Sequence, residues 1–134
     1  MSEASPRDPS YPPHVLGRLG ERAAGEFLTR SGWTVLHRNY RFGRREVDLV
    51  ARRGDLVAFI EVKTRAGDGY GVPEEAVTRL KRREIELVAA AYLARERPGD
   101  VDVRFDVFAI VMQGDGAIRR IEHLEDAWRP EASR

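Results

Sequence analysis

The chain has 134 residues, 42% of them apolar and 34% charged, with no cysteine and a formal net charge of +1. That length suits one domain with one core, and that balance excludes disorder throughout. Without cysteine there are no disulfides, thiolate metal sites or cysteine nucleophile, so any metal must be held by oxygen or imidazole; the near-neutral charge gives no global signal for nucleic acid.

In chain order, residues 1–13 ("MSEASPRDPSYPP") are polar and proline-rich and read as a disordered tail. They hold no apolar run of signal-peptide length, and no later stretch approaches ~20 uninterrupted apolar residues. A soluble, cytoplasmic protein with no membrane partner is expected. From Leu16 to Arg30 the apolar residues Leu16, Leu19, Ala23 and Phe27 recur at helical steps before the stop signal Gly32. "WTVLHRNY" (33–40) reads as a first strand and "RFGRR" as a basic loop. "REVDLVARRGDLVAFIEVKTR" (45–65) predicts a hairpin that turns at Arg53-Gly54.

The glycine-rich "AGDGYG" lacks a phosphate-binding spacing and reads as a connection or lid, after which Pro73 is preorganised to open a helix of about 20 residues. Its apolar stripe is expected through Ala76, Val77, Leu80, Leu87, Val88 and Ala91, and "RPGD" ends it. "VDVRFDVFAIV" (101–111) reads as a largely buried strand, and "IRRIEHL" as a last strand leading to a short terminal segment with Trp128. The order α-β-β-β-α-β-β is that of a mixed α/β, or α+β, single domain over residues 14–128, with a C-terminal tail at 129–134.

The hairpin carries the chemistry. Side chains alternate across a strand, so Glu46 and Asp48 share one face and Val47 and Leu49 the other. On the next strand Glu61 and Lys63 share a face with Val57 and Phe59. A turn at Arg53-Gly54 sets Glu46 opposite Glu61 and Asp48 opposite Phe59, with Asp48 and Glu61 on a diagonal roughly 7–8 Å apart at their β-carbons. Carboxylates this close repel, and burial without a counter-charge costs several kcal/mol or shifts a pKa until a proton binds. One lysine against three acids leaves room for a divalent, oxygen-seeking ion such as Mg²⁺ or Mn²⁺, with the Val62 carbonyl as a further ligand.

Helical phase puts Glu21 at the edge of the first helix's apolar stripe and Lys81 at the border of the second, beside Arg79, Arg82 and Arg83. Residues 38–53 contain six arginines against Glu46 and Asp48, a local charge of +4 able to hold phosphates. Arg41, Arg44 and Arg45, interleaved with Tyr40 and Phe42, are candidate contacts to nucleic acid, together with Arg65, Lys81 and Arg82. Of the 23 basic residues only Lys63 and Lys81 are lysine, which points to positions where a compact ammonium matters. His14, His37 and His123 are isolated and read as packing or surface residues.

Set side by side, "GRLGERAAGEFLTRSGWTVLHRNYR", "REVDLVARRGDLVAFIEVKTR", "GVPEEAVTRLKRREIELVAAAYL" and "RFDVFAI" resemble the bacterial YraN-like family from about Gly17 to Trp128. That family is similar to archaeal Holliday junction resolvases within the restriction-endonuclease-like, or PD-(D/E)xK, superfamily. The resemblance implies a nuclease-like domain with a central mixed sheet of five strands flanked by helices, and an active site of Glu21, Asp48, Glu61 and Lys63. It departs at Arg45, where the family usually has glycine.

The resemblance and the residues together lead to the expectation of a metal-dependent endonuclease acting on DNA, including branched or junction DNA. Asp48, Glu61, Val62 and Glu21 are its expected metal ligands, Lys63 its cationic catalytic group, and Glu46 an accessory. Resolvase relatives act on two strands, so a homodimer is expected. The alternatives are a non-catalytic nucleic-acid-binding module that keeps the fold, and a partner-binding protein whose charged strands serve assembly.

Overall fold

The computed structural model describes residues 10–67 and 77–131. The expectations for the two ends beyond these limits, for most of the glycine-rich connection, for Pro73 and for Ala76 lie outside the described residues. Helix α1 (Pro13–Arg30) opens on a proline, tolerated there because its missing N–H has no partner in a first turn. It starts three residues before the expected Leu16, and Tyr11, in the stretch read as tail, donates its N–H to the Gly114 carbonyl (2.8 Å).

Strands β1 (Thr34–Phe42) and β2 (Arg45–Arg53) pair antiparallel around Gly43-Arg44. The basic loop is thus a two-residue turn, made possible by Gly43 at φ +63°. Strand β3 (Leu56–Ala66) pairs antiparallel with β2, then parallel with β4 (Asp102–Met112), which pairs antiparallel with β5 (Ile118–Trp128). Trp128 ends the last strand and does not sit in a separate terminal segment. The spatial order is β1-β2-β3-β4-β5; the five-stranded mixed sheet and the element order α-β-β-β-α-β-β are those expected.

The parallel step from β3 to β4 needs a crossover, and α2 (Arg79–Glu96) lies within it. It begins after Thr78, whose hydroxyl accepts the Lys81 N–H at 3.1 Å, so capping chemistry sets the start. Leu80 and Leu87 are exposed; Ile85, Val88, Ala89 and Tyr92 form the buried stripe. The expected phase therefore erred for the two leucines.

Each helix covers one face of the sheet. Leu16, Ala24 and Leu28 of α1 pack on Ala58, Ile60, Phe108 and Ile110, while the α2 stripe packs on Val57, Phe59, Phe105 and Val107. β3 is buried on both faces, which explains its continuous apolar run. On the β4–β5 side Asp106 is fully buried. It accepts two bonds from the Arg104 guanidinium (2.9 Å each), one from His123 Nε2 (2.8 Å) and one from the Asp126 N–H (3.0 Å). Burial alone would raise its pKa, but these donors hold it below the usual carboxylate range. Among the described residues, no helix is long and apolar enough to cross a membrane.

Candidate functional site

The β2–β3 ladder runs from Arg53↔Leu56 to Leu49↔Ile60, with Gly54 at φ +61° in the turn. The turn is Gly54-Asp55, one residue beyond the expected one, so each cross-strand partner moves by two. A two-residue shift keeps every side chain on its face. It also replaces the expected Glu46–Glu61 opposition: Asp48, formerly diagonal to Glu61, stands at the next position directly across from it.

The ladder ends there, and Asp48 Oδ2 accepts the Val62 N–H at 2.8 Å. Strict alternation also fails at this point. Val47 and Leu49, expected on one face, belong to the α2-side and α1-side clusters respectively. Across from Asp48 on β1 is Asn39, at φ +50°, so both edges of the hairpin leave regular geometry where the acid enters.

Asn39 Nδ2 donates to Glu21 Oε1 at 3.2 Å, which fixes the half-buried helical acid over the sheet. Glu61, 4% exposed, lies across from Asp48; its Oε1 is buried without a hydrogen-bond partner, and its Oε2 is 3.9 Å from both Lys63 Nζ and Lys81 Nζ. Lys81 Nζ also donates to the Glu46 carbonyl at 3.4 Å, and the Glu46 carboxylate pairs with Arg41 at 3.7 Å. Side chains from β2, β3, α1 and α2 thus meet at the end of the sheet that carries the β1–β2 turn.

The charges report the crowding. Burial, then Asp48, pushes the Glu61 carboxyl up to about 8, against the pull of Lys81 and Lys63. Asp48 is raised by burial despite the Val62 N–H, and Glu21 is raised by burial and then by Asp48. The pull of Lys81 and Lys63 on Glu61, and of Arg38 on Glu21, does not outweigh burial and mutual repulsion among the acids.

This donor set fits a hard divalent cation. No three Asp, Glu, His or Cys side chains among the described residues stand close enough to form a preformed cage. Mg²⁺ commonly takes only one or two carboxylates and keeps several waters, and Mn²⁺ favours the same oxygen donors. Asp48 and Glu61, with an unpartnered buried oxygen between strands, match that demand. Val62 joins the site through its N–H.

The run of arginines divides. Arg41, Arg44 and Arg45 are exposed around the β1–β2 turn beside the acids, and Arg65 is exposed two residues past Lys63. Arg52 and Arg53 lie at the opposite end, Arg52 bonding the Gly54 and Pro98 carbonyls and Arg53 lying 4.5 Å over Trp33. Arg38 lies between these ends, its guanidinium against Gly25 of α1, so the expected +4 patch is dispersed. Arg82 packs 5.5 Å over Trp128 and donates to the Val77 carbonyl at 3.1 Å.

Two contributors escaped sequence reading, Asn39 and the Gly20–Thr64 contact. A Cβ at Gly20 would overlap Thr64 Oγ1, an atom that is itself buried without a partner. A glycine inside a helix costs up to about 1 kcal/mol relative to alanine, so Gly20 was a readable sign of close approach. Gly20→Ala is accordingly expected to destabilise the protein by about 1–3 kcal/mol in urea unfolding, where propensity alone predicts the opposite sign.

Residues 20–110 match the family described as "Uncharacterised protein family UPF0102". A UPF0102 protein of Prosthecochloris aestuarii is 43% identical over 123 residues, covering 89% of this chain and 97% of the relative. One of Rhodococcus opacus is 47% identical over 114 residues, covering 85% and 96%. A solved structure of Pyrococcus furiosus SfsA in complex with Ca²⁺ is similar at 15% identity with a TM-score of 0.31. It covers 84% of this chain, which spans 63% of that one, a likeness too distant to carry any inference.

Proposed function

We propose that this chain, which belongs to the UPF0102 (YraN-like) family, is a metal-dependent endonuclease that hydrolyses phosphodiester bonds in DNA, including branched forms. The observation that carries this reading is the approach of Asp48 to Glu61 just past the Leu49↔Ile60 end of the β2–β3 ladder, with Glu61 Oε1 buried without a hydrogen-bond partner and Lys63 at 3.9 Å.

Asp48 and Glu61 would hold Mg²⁺ or Mn²⁺, with Glu21 and the Val62 carbonyl completing its surroundings. At these residues such an ion would supply Lewis-acid chemistry, a lower pKa for water and compensation of phosphoryl charge. Asp48 is held against β3 by the Val62 N–H, which its Oδ2 accepts at 2.8 Å. Asn39 holds Glu21 in place. Lys63, on the same strand two residues beyond Glu61, presents an ammonium to the charge that grows on the phosphate oxygens. Arg41, Arg44, Arg45 and Arg65 would steer the nucleic-acid backbone toward this end of the sheet.

The test is incubation of the protein with linear, flapped and four-way DNA, with and without Mn²⁺, beside Lys63→Ala. Metal-dependent cutting by the wild type alone supports the reading; no cutting of any form, with DNA still bound, replaces it by the binding-module reading. For the exposed arginines, Arg44→Ala and Arg45→Ala should each weaken DNA binding evenly across sequences and reduce the slope of log affinity against log salt by about 1. An unchanged slope removes that turn from the interface.

A further inference from the structure

We infer that the Lys81 ammonium is the resident cation of the metal-free pocket, and that a divalent ion must displace it to reach Glu61. This inference rests on the metal-site reading above and assigns Lys81 a place in that site beyond contact with a phosphate backbone.

The chain uses arginine at 21 of its 23 basic positions. The two lysines come from different elements, β3 and α2, yet both ammoniums end 3.9 Å from the same oxygen, Glu61 Oε2. They are not equivalent. Lys81 is also anchored at 3.4 Å on the Glu46 carbonyl, and its charge acts on Asp48 as well as on Glu61. Its charge therefore bears on both candidate metal ligands.

Its position on the helix works against helix stability. Lysine in the first turn of α2, with Arg79 and no acid there, opposes the positive end of the helix dipole. A contact elsewhere must compensate, and the acid pocket is the contact the structure shows. At 3.9 Å the pair is longer than the ~2.7–2.9 Å of a charge-assisted hydrogen bond, so the ammonium lies beside the Glu61 carboxyl without being locked to it. An arginine would fork onto the carboxylate with two bonds and hold it shut, which gives a physical reason for lysine in a chain that otherwise avoids it.

Two substitutions should act in opposite directions. Lys81→Met removes a positive charge beside the ligands and is expected to tighten Mn²⁺ binding by about tenfold, whereas Lys81→Arg is expected to weaken it by a similar factor. Binding is read by isothermal titration calorimetry on the full chain, with no DNA present. Tightening in Lys81→Met with weakening in Lys81→Arg supports the inference. Unchanged or weaker binding in Lys81→Met, with the wild type binding, overturns it alone and leaves Lys81 as a support for Glu61 or a backbone contact. Absence of Mn²⁺ binding in the wild type and both variants overturns the metal-site reading and this inference with it.

Discussion

Lys63→Ala is expected to lower the rate of Mn²⁺-dependent DNA cutting by about 10²–10³-fold, the usual cost of removing one preorganised stabiliser of transition-state charge. The fold should persist. The Lys63 side chain is 38% exposed and its pairing with Glu61 is long, so its loss costs little stability, since partly solvated ion pairs contribute roughly 0–1 kcal/mol. DNA affinity should stay within about twofold, because on the proposed reading the exposed arginines at the same end of the sheet, and not Lys63, would carry the phosphate contacts.

Lys63→Arg should not restore the rate. A guanidinium is planar, larger and apt to fork onto Glu61. The informative comparison is single-turnover cleavage against filter binding at one salt concentration. A large loss of binding would place Lys63 on the phosphate backbone. Cutting at the wild-type rate would remove Lys63 from the chemistry altogether.

Period two made Glu61 and Lys63 legible as neighbours on β3, and helical phase set Glu21 and Lys81 at stripe borders; Asp48 was legible as an acid on the paired strand, although alternation breaks where it stands. Sequence reading failed where position depends on something beyond those periods. The turn slipped by one residue because both "Arg53-Gly54" and "Gly54-Asp55" suit a hairpin, and only the observed pairing Arg53↔Leu56 distinguishes them. The faces of Val47 and Leu49 separated because Asp48 takes a main-chain donor from β3, an event no alternation rule contains.

Helical phase likewise erred at Leu80 and Leu87, which are apolar yet exposed, because the rule assumes that apolar means inward. The polar core around Asp106 was invisible for another reason. Within "VDVRFDVFAIV" a buried aspartate looks like an interruption, and its compensation comes from His123 and Asp126 on another strand, 17 and 20 residues away. His123, read as packing or surface, does pack, stacked on Phe108 at 4.4 Å. It also donates to a charge that its isolation in the sequence gave no reason to suspect.

Asp48→Asn should separate binding from stability, since the two move in opposite directions. Asparagine keeps the shape and an oxygen able to accept the Val62 N–H, so the hairpin end stays in place. It removes the charge that raises both Glu61 and Glu21. In the metal-free wild type the folded Glu61 carboxyl titrates near 8, above its ordinary 4.5, so the folded protein holds a proton that the unfolded chain has released. Stability from this group is then full below about 4.5 and is lost as pH rises through about 8, a change on the order of a few kcal/mol for a carboxyl this buried.

The wild-type melting temperature should accordingly fall between pH 5 and 9 in chelator, and Asp48→Asn should flatten that fall and melt higher at the alkaline end. Added Mn²⁺ should reverse the order. The wild type gains stability in proportion to the logarithm of metal concentration above its dissociation constant, while the variant, short of one anionic ligand, gains almost none. A variant that melts lower than the wild type in chelator would mean that Asp48 acts chiefly as a structural acceptor for β3. A variant that gains as much as the wild type from Mn²⁺ would place the ion somewhere other than between Asp48 and Glu61.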